Sequence, residues 1–321
     1  MRIRLRENVA GFSARFDLRR KWYRFSRSSL SMVGLVISVA AVVAALAAPF
    51  VTPYPQHAGL FTDFPHERLP PSIIYLFRTS PIMRHDPVAI ATYVPPSFAY
   101  LLGTDEMGRD VLTRTIFGFQ YSLMMAVVVL ALVVAPGVIL GLVAGYYRGT
   151  WIDSVIMRIA DMFIAVPPLV LALSIAAVLT PGVFNAMMAV SLMWWPWYTR
   201  LTYNTTSALR NEYFVQASEV MGASSFHTIF SEILPNCLGP ILTKITLDVG
   251  WVILLGSALS YVGLGAQAPT PDLGTMVAEG SQFIPNSWWI SIFPAVAISL
   301  IILGFNLLGD GIRDIFVEEA K

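Results

Sequence analysis

Six long apolar stretches set the main limit on how this chain can fold. They are residues 29–51, 123–146, 159–179, 183–201, 241–264 and 289–309. Each has about the length that an α-helix needs to cross roughly 30 Å of hydrocarbon. Charged residues make up only 13% of the 321 residues, about half the ~25% that is typical of soluble domains. The sequence therefore predicts an all-α polytopic membrane protein with six transmembrane helices. It excludes a disordered protein and disfavours a soluble enzyme.

Charge and residue usage exclude several kinds of chemistry. The net charge of +1 gives no general basis for nucleic-acid binding. The single cysteine, Cys237, excludes an internal disulfide and a Cys-based zinc cluster, and we predict no metal site. A phosphate-binding P-loop needs Gly-Lys-Ser/Thr, and none of Lys21, Lys244 and Lys321 follows a glycine. If ATP hydrolysis drives this protein, the ATPase is a separate chain.

The residues before the first stretch suggest how the chain is oriented in the membrane. Residues 1–28 are basic, with only Glu7 and Asp17 as acidic residues, and aromatic side chains are interleaved. This pattern suits an anionic membrane surface and a cytoplasmic location, although a solvated tail that only sets the topology is an equal alternative. We interpret residues 29–51 as a retained anchor rather than a signal peptide. Segments 52–121, 180–182 and 265–288 are then outside, and segments 147–158, 202–240 and the tail 315–321 are cytoplasmic.

The stretches contain a few features that predict contacts between helices. Gly137, Gly141 and Gly145 share one helix face, which favours close helix packing in a membrane. Residues 146–158 are predicted as a short turn, and Pro167-Pro168 interrupt the third stretch. The Trp194–Tyr198 aromatics with Arg200 suggest an interfacial belt. Lys244 and Asp248 are one turn apart and near enough to pair.

The outer segment 52–121 is rich in proline and ends in a charged motif, Leu102-Gly103-Thr104-Asp105-Glu106-Met107-Gly108-Arg109-Asp110. Gly103 and Gly108 mark turns, and Thr104 or Asp105 is expected to cap the helix that follows. We favour a structural, salt-bridged cap formed by Asp105, Glu106, Arg109 and Asp110 over a metal or catalytic site. The histidines are scattered, and surface positions are expected for those in this segment: His57, His66 and His85.

Residues 211–240 predict two short helices at a bend outside the bilayer. Asn211 is expected to cap the first helix, with Glu212 in its first turn. An apolar stripe follows, formed by Tyr213, Ala217, Val220 and Met221. Gly222 ends this helix, Ser224 or Ser225 caps a second helix, and Pro235 stops that one near residue 234. Either the segment packs under the bundle as a loop, or its apolar stripe docks into a groove of a partner.

Several motifs in this order resemble one family. Glu212-Tyr213-Phe214-Val215-Gln216-Ala217-Ser218, with Gly222 and Ile233-Leu234-Pro235-Asn236, is similar to the EAA loop of ABC importer permeases. Four further motifs resemble the C-type subunit of the dipeptide, oligopeptide and nickel branch of that family. They are the Gly103–Asp110 motif, Met157-Arg158-Ile159-Ala160-Asp161 with Pro167, Tyr261-Val262-Gly263-Leu264-Gly265, and Leu307-Leu308-Gly309-Asp310-Gly311-Ile312-Arg313-Asp314. The resemblance spans roughly residues 20–316.

The resemblance implies a type I ABC importer permease (MetI-like) fold, with residues 122–314 as a permease core of five helices. It implies a bacterial or archaeal inner membrane, with both termini cytoplasmic. The implied partners are a B-type permease subunit, two ATPases that bind the ATP and Mg²⁺, and an external substrate-binding protein; this chain needs no cofactor and has no catalytic residue. The implied ATPase-coupling residues are Glu212, Tyr213, Gln216, Ala217, Ser218, Glu219, Gly222 and Pro235.

Two points of the resemblance remain open. Gln216 stands where the family's motif has a glutamate, so the acidic contact of the family is lost at this position. Glu212 and Glu219 are the acidic residues of the helix that could substitute for it. The cargo is undetermined among di- or oligopeptides, nickel complexes, glutathione and oligosaccharides, and the substrate-binding residues are unknown.

Two other functional classes compete with an importer subunit. A stand-alone secondary transporter or channel would place ionisable relay residues in mid-span, whereas Asp161, Lys244 and Asp248 lie towards the inner ends of their stretches. An intramembrane enzyme would need a Ser/His or paired-Asp constellation. No histidine lies within any of the six stretches.

Overall fold

A computed structural model describes residues 18–73 and 100–317, and within them the chain is helical with no β-strand. The helices are α1 (Leu18–Arg27), α2 (Ser29–Val51), α3 (Val111–Tyr146), α4 (Trp151–Ile164), α5 (Pro168–Val178), α6 (Val183–Leu209), α7 (Tyr213–Val220), α8 (Ser225–Tyr261), α9 (Leu273–Ser281) and α10 (Trp289–Val317). Predictions for residues 1–17, for 74–99 including His85, and for 318–321 lie outside the described residues.

All six apolar stretches are helical, which confirms the all-α polytopic prediction. By length and composition, α2, α3, α8 and α10 are able to cross a membrane alone, and α4 with α5 passes the same test as a pair bent by 88°. The bend lies at Pro167-Pro168, where a proline cannot continue the hydrogen-bond ladder. The remaining stretch lies in α6, whose 27 residues correspond to about 40 Å of helix.

Three helix boundaries differ from the sequence-based prediction. Helix α3 begins at Val111 because Asp110, and neither Thr104 nor Asp105, caps it: Asp110 Oδ2 accepts from the Thr113 amide at 2.8 Å. The turn predicted over 146–158 is wrong, because α4 already begins at Trp151. Pro235 does not end a helix, since α8 continues through it to Tyr261.

The continuation of α8 through Pro235 has a local structural reason. A wide π-helical turn over Thr228–Ile233 comes just before the proline. Proline lacks an amide hydrogen and its ring crowds the preceding turn of a regular α-helix, and the wider turn relieves that crowding. The Glu232 carbonyl accepts a hydrogen bond from Asn236 Nδ2 at 2.6 Å.

Among the described helices, the most extensive contact is that between α3 and α6. Its contact runs along Gly137, Gly141 and Gly145, all on the α3 face that meets α6. A Cβ at Gly137 would come within 2.7 Å of the Trp195 carbonyl oxygen, and one at Gly145 within 2.8 Å of the Tyr203 carbonyl oxygen. Only glycine permits this backbone approach, and such small-residue contacts hold helices together in lipid.

The aromatic belt predicted near Arg200 is only partly correct. Trp194 and Tyr198 are buried in the bundle, at 6% and 0% exposure. Trp194 Nε1 donates to Asp248 Oδ2 at 2.8 Å, and Lys244 Nζ lies 2.9 Å from Asp248 Oδ1. The predicted Lys244–Asp248 pair is therefore confirmed. Trp194 turns inwards because a buried carboxylate requires hydrogen-bond donors, and the ring of Tyr198 lies 5.4 Å from Lys244 Nζ.

The two ends of the bundle are structurally distinct. We call the end that carries residues 100–118 the cap end and the end that carries residues 211–225 the knuckle end. At the cap end, Trp289 Nε1 donates to the Thr104 carbonyl at 3.1 Å, and the Gly182 amide donates to the Leu264 carbonyl at 3.4 Å. Segments 52–121 and 180–182 thus each contact a residue that flanks segment 265–288, either Trp289 or Leu264. The predicted sidedness is therefore self-consistent.

The charged motif at the cap end forms a buried ion-pair cluster. Arg109 Nε lies 2.7 Å from Asp105 Oδ2, and Arg114 Nε lies 3.4 Å from the same oxygen. These three side chains are 2–4% exposed. Asp105 Oδ1 also accepts from the Met107 and Arg109 amides. Burial raises the pKa of Asp110, whereas its hydrogen bonds with Thr113 act to lower it. Gly103 and Gly108 have positive φ, as expected for turns.

His57 is part of this cap, and the surface position predicted for it is wrong. Its side chain is buried at 3% exposure, and Nδ1 accepts a hydrogen bond from the Asp110 amide at 3.0 Å. Burial lowers the His57 pKa below its ordinary value of 6.5, although Asp63 and Asp105 oppose the shift. His66 is exposed as predicted, and its Nδ1 lies 2.6 Å from Asp63 Oδ2.

We predict that acid loosens the cap through His57. Because the His57 pKa is lower in the folded protein than in the unfolded chain, the unfolded chain binds more protons, and stability falls as the pH drops below about 6.5. The readout is the hydrogen-exchange protection factor of the Asp110 amide from about pH 7.5 to about pH 5.5. The raised pKa of Asp110 acts in the opposite direction.

His57→Gln is the control, because its amide oxygen still accepts a hydrogen bond but does not titrate. We expect its protection factor to lose the downward step with falling pH. Equal acid sensitivity in His57→Gln, or constant protection in the native chain, would contradict this assignment.

Candidate functional site

The segment predicted to dock a partner forms a compact projection from the knuckle end. We call residues 211–225 the knuckle. Helix α6 ends at Leu209, a turn follows, α7 runs over Tyr213–Val220, and α8 begins at Ser225. Glu212 is the N-cap residue of α7, with no side-chain capping bond, so the prediction that Asn211 caps this helix is wrong. Asn211 instead offers its carbonyl to Gln216 Nε2 at 3.2 Å.

The bend between the two helices has the conformation that the sequence predicts. Gly222 has φ +87°, a left-handed conformation that favours glycine. The Gly222 amide donates to the Glu219 carbonyl at 2.9 Å, and the Ala223 amide donates to the Ser218 carbonyl at 3.1 Å. These two bonds form a Schellman C-cap. Ser224 then caps α8 by accepting from the His227 amide at 3.3 Å. The bend therefore has a defined geometry.

The two faces of α7 differ sharply in exposure. Val215 is fully buried and packs in the main hydrophobic core of the bundle, and Ser218 is 7% exposed. On the opposite face, Tyr213 and Val220 are each 88% exposed and the next residue along, Met221, is 81% exposed. The apolar stripe predicted from the sequence thus lies on the outward face. Phe226, just after the bend, extends this apolar surface at 72% exposure.

A hydrogen bond between side chains distant in sequence ties α7 to the membrane core. The hydroxyl of Tyr146, the last residue of α3, donates to Glu219 Oε1 at 2.8 Å. Tyr146 is 6% exposed, and the guanidinium carbon of Arg210 lies 5.1 Å from the centre of its ring. The knuckle is therefore attached to α3 through Glu219, and Arg210 at the end of α6 contacts the same tyrosine. Sequence reasoning missed Tyr146 because nothing local marks it.

The same contact distinguishes the two acidic residues proposed to compensate for Gln216. Glu219 is bonded to Tyr146 and points towards the bundle. Both side chains are exposed, and Glu212 lies at the start of α7. Because one oxygen of Glu219 is engaged by Tyr146, Glu212 is the carboxylate that a partner could bind without displacing that bond. Pro235, the remaining coupling candidate, lies beyond the π-helical turn in α8, away from the bend.

The described residues contain no group of three or more His, Cys, Asp or Glu side chains arranged to hold a metal ion. The ionisable groups considered as relay candidates, Asp161, Lys244 and Asp248, are all paired: Arg200 with Asp161 at 2.7 Å, and Lys244 with Asp248. The feature with the clearest functional geometry is therefore the outward apolar face of the knuckle.

Comparison with known families gives two successive matches along the chain. Residues 18–71 match the N-terminal TM domain of oligopeptide transport permease C, and residues 137–320 match the binding-protein-dependent transport system inner membrane component. The second match covers more than half of the chain and includes the knuckle, α8 and α10.

Curated relatives agree with these family matches. The chain is 42% identical to the probable D,D-dipeptide transport system permease protein DdpC of Escherichia coli K12, over 74% of this chain and 80% of the relative. It is 36% identical to the dipeptide transport system permease protein DppC of Alkalihalophilus pseudofirmus, over 94% of this chain and 90% of the relative. It is 38% identical to DppC of Escherichia coli K12, over 94% and 92%.

A solved structure of the MetNI methionine ABC transporter in an inward-facing conformation supports the same fold. The TM-score is 0.52 at 18% identity, over 64% of this chain and 97% of that chain. At this identity the likeness concerns the fold alone. From its family and its relatives, the chain belongs to the binding-protein-dependent transport system inner membrane components, the transmembrane permease subunits of ABC importers.

Proposed function

We propose that this chain forms half of a translocation pathway for di- or oligopeptides or similar small solutes, and that its knuckle couples the pathway to an ATPase. The observation that carries the coupling is the outward apolar face of α7, where Tyr213 and Val220 are 88% exposed on a helix whose other face is buried. A large apolar surface outside the bilayer indicates a protein contact. The peptide cargo is supported by the names of the relatives.

The proposed complex contains five parts. A B-type permease supplies the other half of the pathway, two ATPase subunits bind ATP and Mg²⁺, and an external binding protein delivers the solute. The family description supports the binding protein. Lys21, Lys244 and Lys321 all lack a preceding glycine, which supports ATP binding on separate chains. The knuckle end would then be cytoplasmic, together with both termini.

The proposed mechanism is a rigid-body switch. When ATP binding closes the ATPase pair, each ATPase moves the knuckle that it holds. The bond between Tyr146 and Glu219 transmits this displacement to α3, and the Gly222 bend transmits it to α8. Because α3 packs along α6 at three glycines, these helices move together, and the bundle rocks between inward-facing and outward-facing states.

The first test removes the apolar face of the knuckle. We expect the double variant Tyr213→Ser/Val220→Ser to lose most of its bound ATPase on affinity purification of the complex. Folding should be unchanged, because both side chains are almost fully exposed.

The matched control is Leu60→Ser/Phe64→Ser, which removes an exposed aliphatic and an exposed aromatic side chain near the cap end. It should retain the ATPase. Retention of the ATPase by the knuckle variant would refute the docking surface.

The second test strains the bend. Gly222→Val places a β-branched residue in a left-handed conformation, a strain of order 1–3 kcal/mol, while a Cβ there meets no atom within 4 Å. We expect transport to fall and ATP hydrolysis to lose its dependence on the loaded binding protein.

Gly149→Val is the control for this strain. Gly149 also has positive φ, +84°, and open space around its Cβ position, in a turn at the same end of the bundle. Normal coupled transport by Gly222→Val, or equal loss in Gly149→Val, would contradict the role of the bend.

The third test removes the link to α3. Tyr146→Phe deletes the hydroxyl that donates to Glu219, and a hydrogen bond to a charged group contributes about 1.5–3 kcal/mol. We expect the ATPase to stay bound while solute transported per ATP hydrolysed decreases. Tyr147→Phe removes the adjacent hydroxyl and should have little effect. An unchanged transport-to-hydrolysis ratio in Tyr146→Phe would show that force passes by another route.

A further inference from the structure

One ion pair of this chain lies in the middle of the membrane-spanning bundle. Lys244 Nζ is 2.9 Å from Asp248 Oδ1, and Trp194 Nε1 donates to Asp248 Oδ2 at 2.8 Å. About 20 Å of helix separates Asp248 from the end of α8 at Tyr261, and about 17 Å separates Trp194 from the start of α6 at Val183. Both helix ends lie at the cap end. Because the hydrocarbon is roughly 30 Å thick, the pair is near its centre.

The side chain of Lys244 extends deeper into the membrane. Its ammonium pairs with a residue one turn nearer the cap end, and it lies 5.7 Å and 5.4 Å from the ring centres of Trp194 and Tyr198. Side chains of a helix normally lean towards its N-terminus, which for α8 is the knuckle end. A lysine near the end of a span also tends to reach the nearer water boundary. Lys244 does neither, and ionisable residues at such a depth mark substrate or ion pathways.

The ammonium of Lys244 has hydrogen-bond donors to spare. An ammonium carries three donors, and within the described part of the chain Asp248 is the one acceptor bonded to it. The side chain of Lys244 is 25% exposed, against 3% for Asp248. The ammonium can therefore be reached from the surface of the chain, whereas the carboxylate cannot. Donors without an acceptor are costly in a medium of low polarity, so an acceptor from outside this chain is favoured there.

The exposed side of Lys244 belongs to a stripe along α8. Lys244, Leu247, Trp251 and Leu254 recur at intervals of three and four residues and therefore share one helix face. Trp251 is 54% exposed and Leu254 is 42% exposed. Because an ammonium that faces lipid is costly, this face suits a water-lined passage better than the lipid surface.

We propose that Lys244 binds the free carboxylate of the transported solute during its passage. The ammonium donates to a carboxylate oxygen in a charge-assisted hydrogen bond, while Asp248 keeps its bond with Trp194. Trp251 lies two turns nearer the cap end, about 10 Å along the helix, and offers an apolar surface to a side chain of the same solute. The charge of Asp248 balances that of Lys244, which keeps the binding weak enough for release. This inference rests on the proposed function as a peptide importer.

The test uses the complete importer in proteoliposomes and two substrates, alanyl-phenylalanine and its C-terminal amide, which lacks the carboxylate. Uptake is measured with the binding protein saturated by each substrate, so that its own affinity does not enter. Lys244→Gln/Asp248→Asn replaces the ion pair by an amide pair that leaves no unpaired charge and still accepts a bond from Trp194. We expect uptake of the dipeptide to fall about tenfold, as for a lost hydrogen bond to a charged group, and uptake of the amide to stay unchanged.

Asp161→Asn/Arg200→Gln is the matched control, because it converts another ion pair of the bundle into an amide pair. It should leave the ratio of the two uptake rates at the native value. Equal rates for the two substrates in the native importer, or an equal loss of both in the Lys244 variant, would overturn the proposal. Absence of dipeptide uptake by the native importer would instead overturn the peptide cargo, and this proposal with it.

A second measurement tests the stripe without altering the ion pair. Trp251→Cys places a thiol on the exposed face of α8, while the native Cys237 is fully buried. A positively charged methanethiosulfonate, which does not enter hydrocarbon, should modify this thiol in the complete importer, either without nucleotide or with ATP. Absence of modification in both states would place the stripe against lipid or protein and would overturn the proposal.

Discussion

The close contact between α3 and α6 determines how the knuckle is oriented. Three glycines of α3 let the two backbones meet, and the contact ends at Gly145, next to Tyr146. The bilayer core contains no water to form hydrogen bonds with backbone groups, and it provides little hydrophobic driving force for helices to associate. Shape therefore determines how these helices pair. Because Tyr146 holds Glu219 and α6 leads directly into the knuckle, the glycine contact also fixes the orientation of α7.

The two ends of the bundle use charge in different ways. At the cap end, Asp105, Arg109 and Arg114 are almost completely buried, and both arginines pair with Asp105. Breaking such a buried pair costs about 3–5 kcal/mol, so the arrangement suits a rigid structural element. At the knuckle end, Glu212 is exposed and apolar side chains face outwards. The charges of the cap end are paired within the chain, whereas the knuckle end has an exposed apolar surface.

The sequence predicted those features that depend on local chemistry. Apolar length located the membrane helices, and Gly222 with Ser224 located the knuckle bend, because C-caps and N-caps are formed by residues a few positions apart. The register of the apolar stripe predicted its placement on one face of α7. Resemblance to the EAA loop then pointed to the same segment as the coupling site.

The sequence could not predict contacts between residues that are distant along the chain. Tyr146 and Glu219 are 73 positions apart, and His57 and Asp110 are 53 apart. From the sequence, Arg114 belongs to the polar outer segment. In the structure it lies in the first turn of α3, which begins at Val111, and it pairs with Asp105. The prediction that Pro235 ends a helix is wrong because a π-helical turn precedes it, and no sequence motif marks that turn.

We propose that the outward face of α7 is covered by an ATPase subunit in the working complex. Val220→Cys tests it directly, since position 220 is exposed and the native Cys237 is fully buried. A membrane-impermeant maleimide should label the introduced thiol rapidly in the isolated chain and at least tenfold more slowly in the assembled complex. Equal labelling rates in the two preparations would contradict the account.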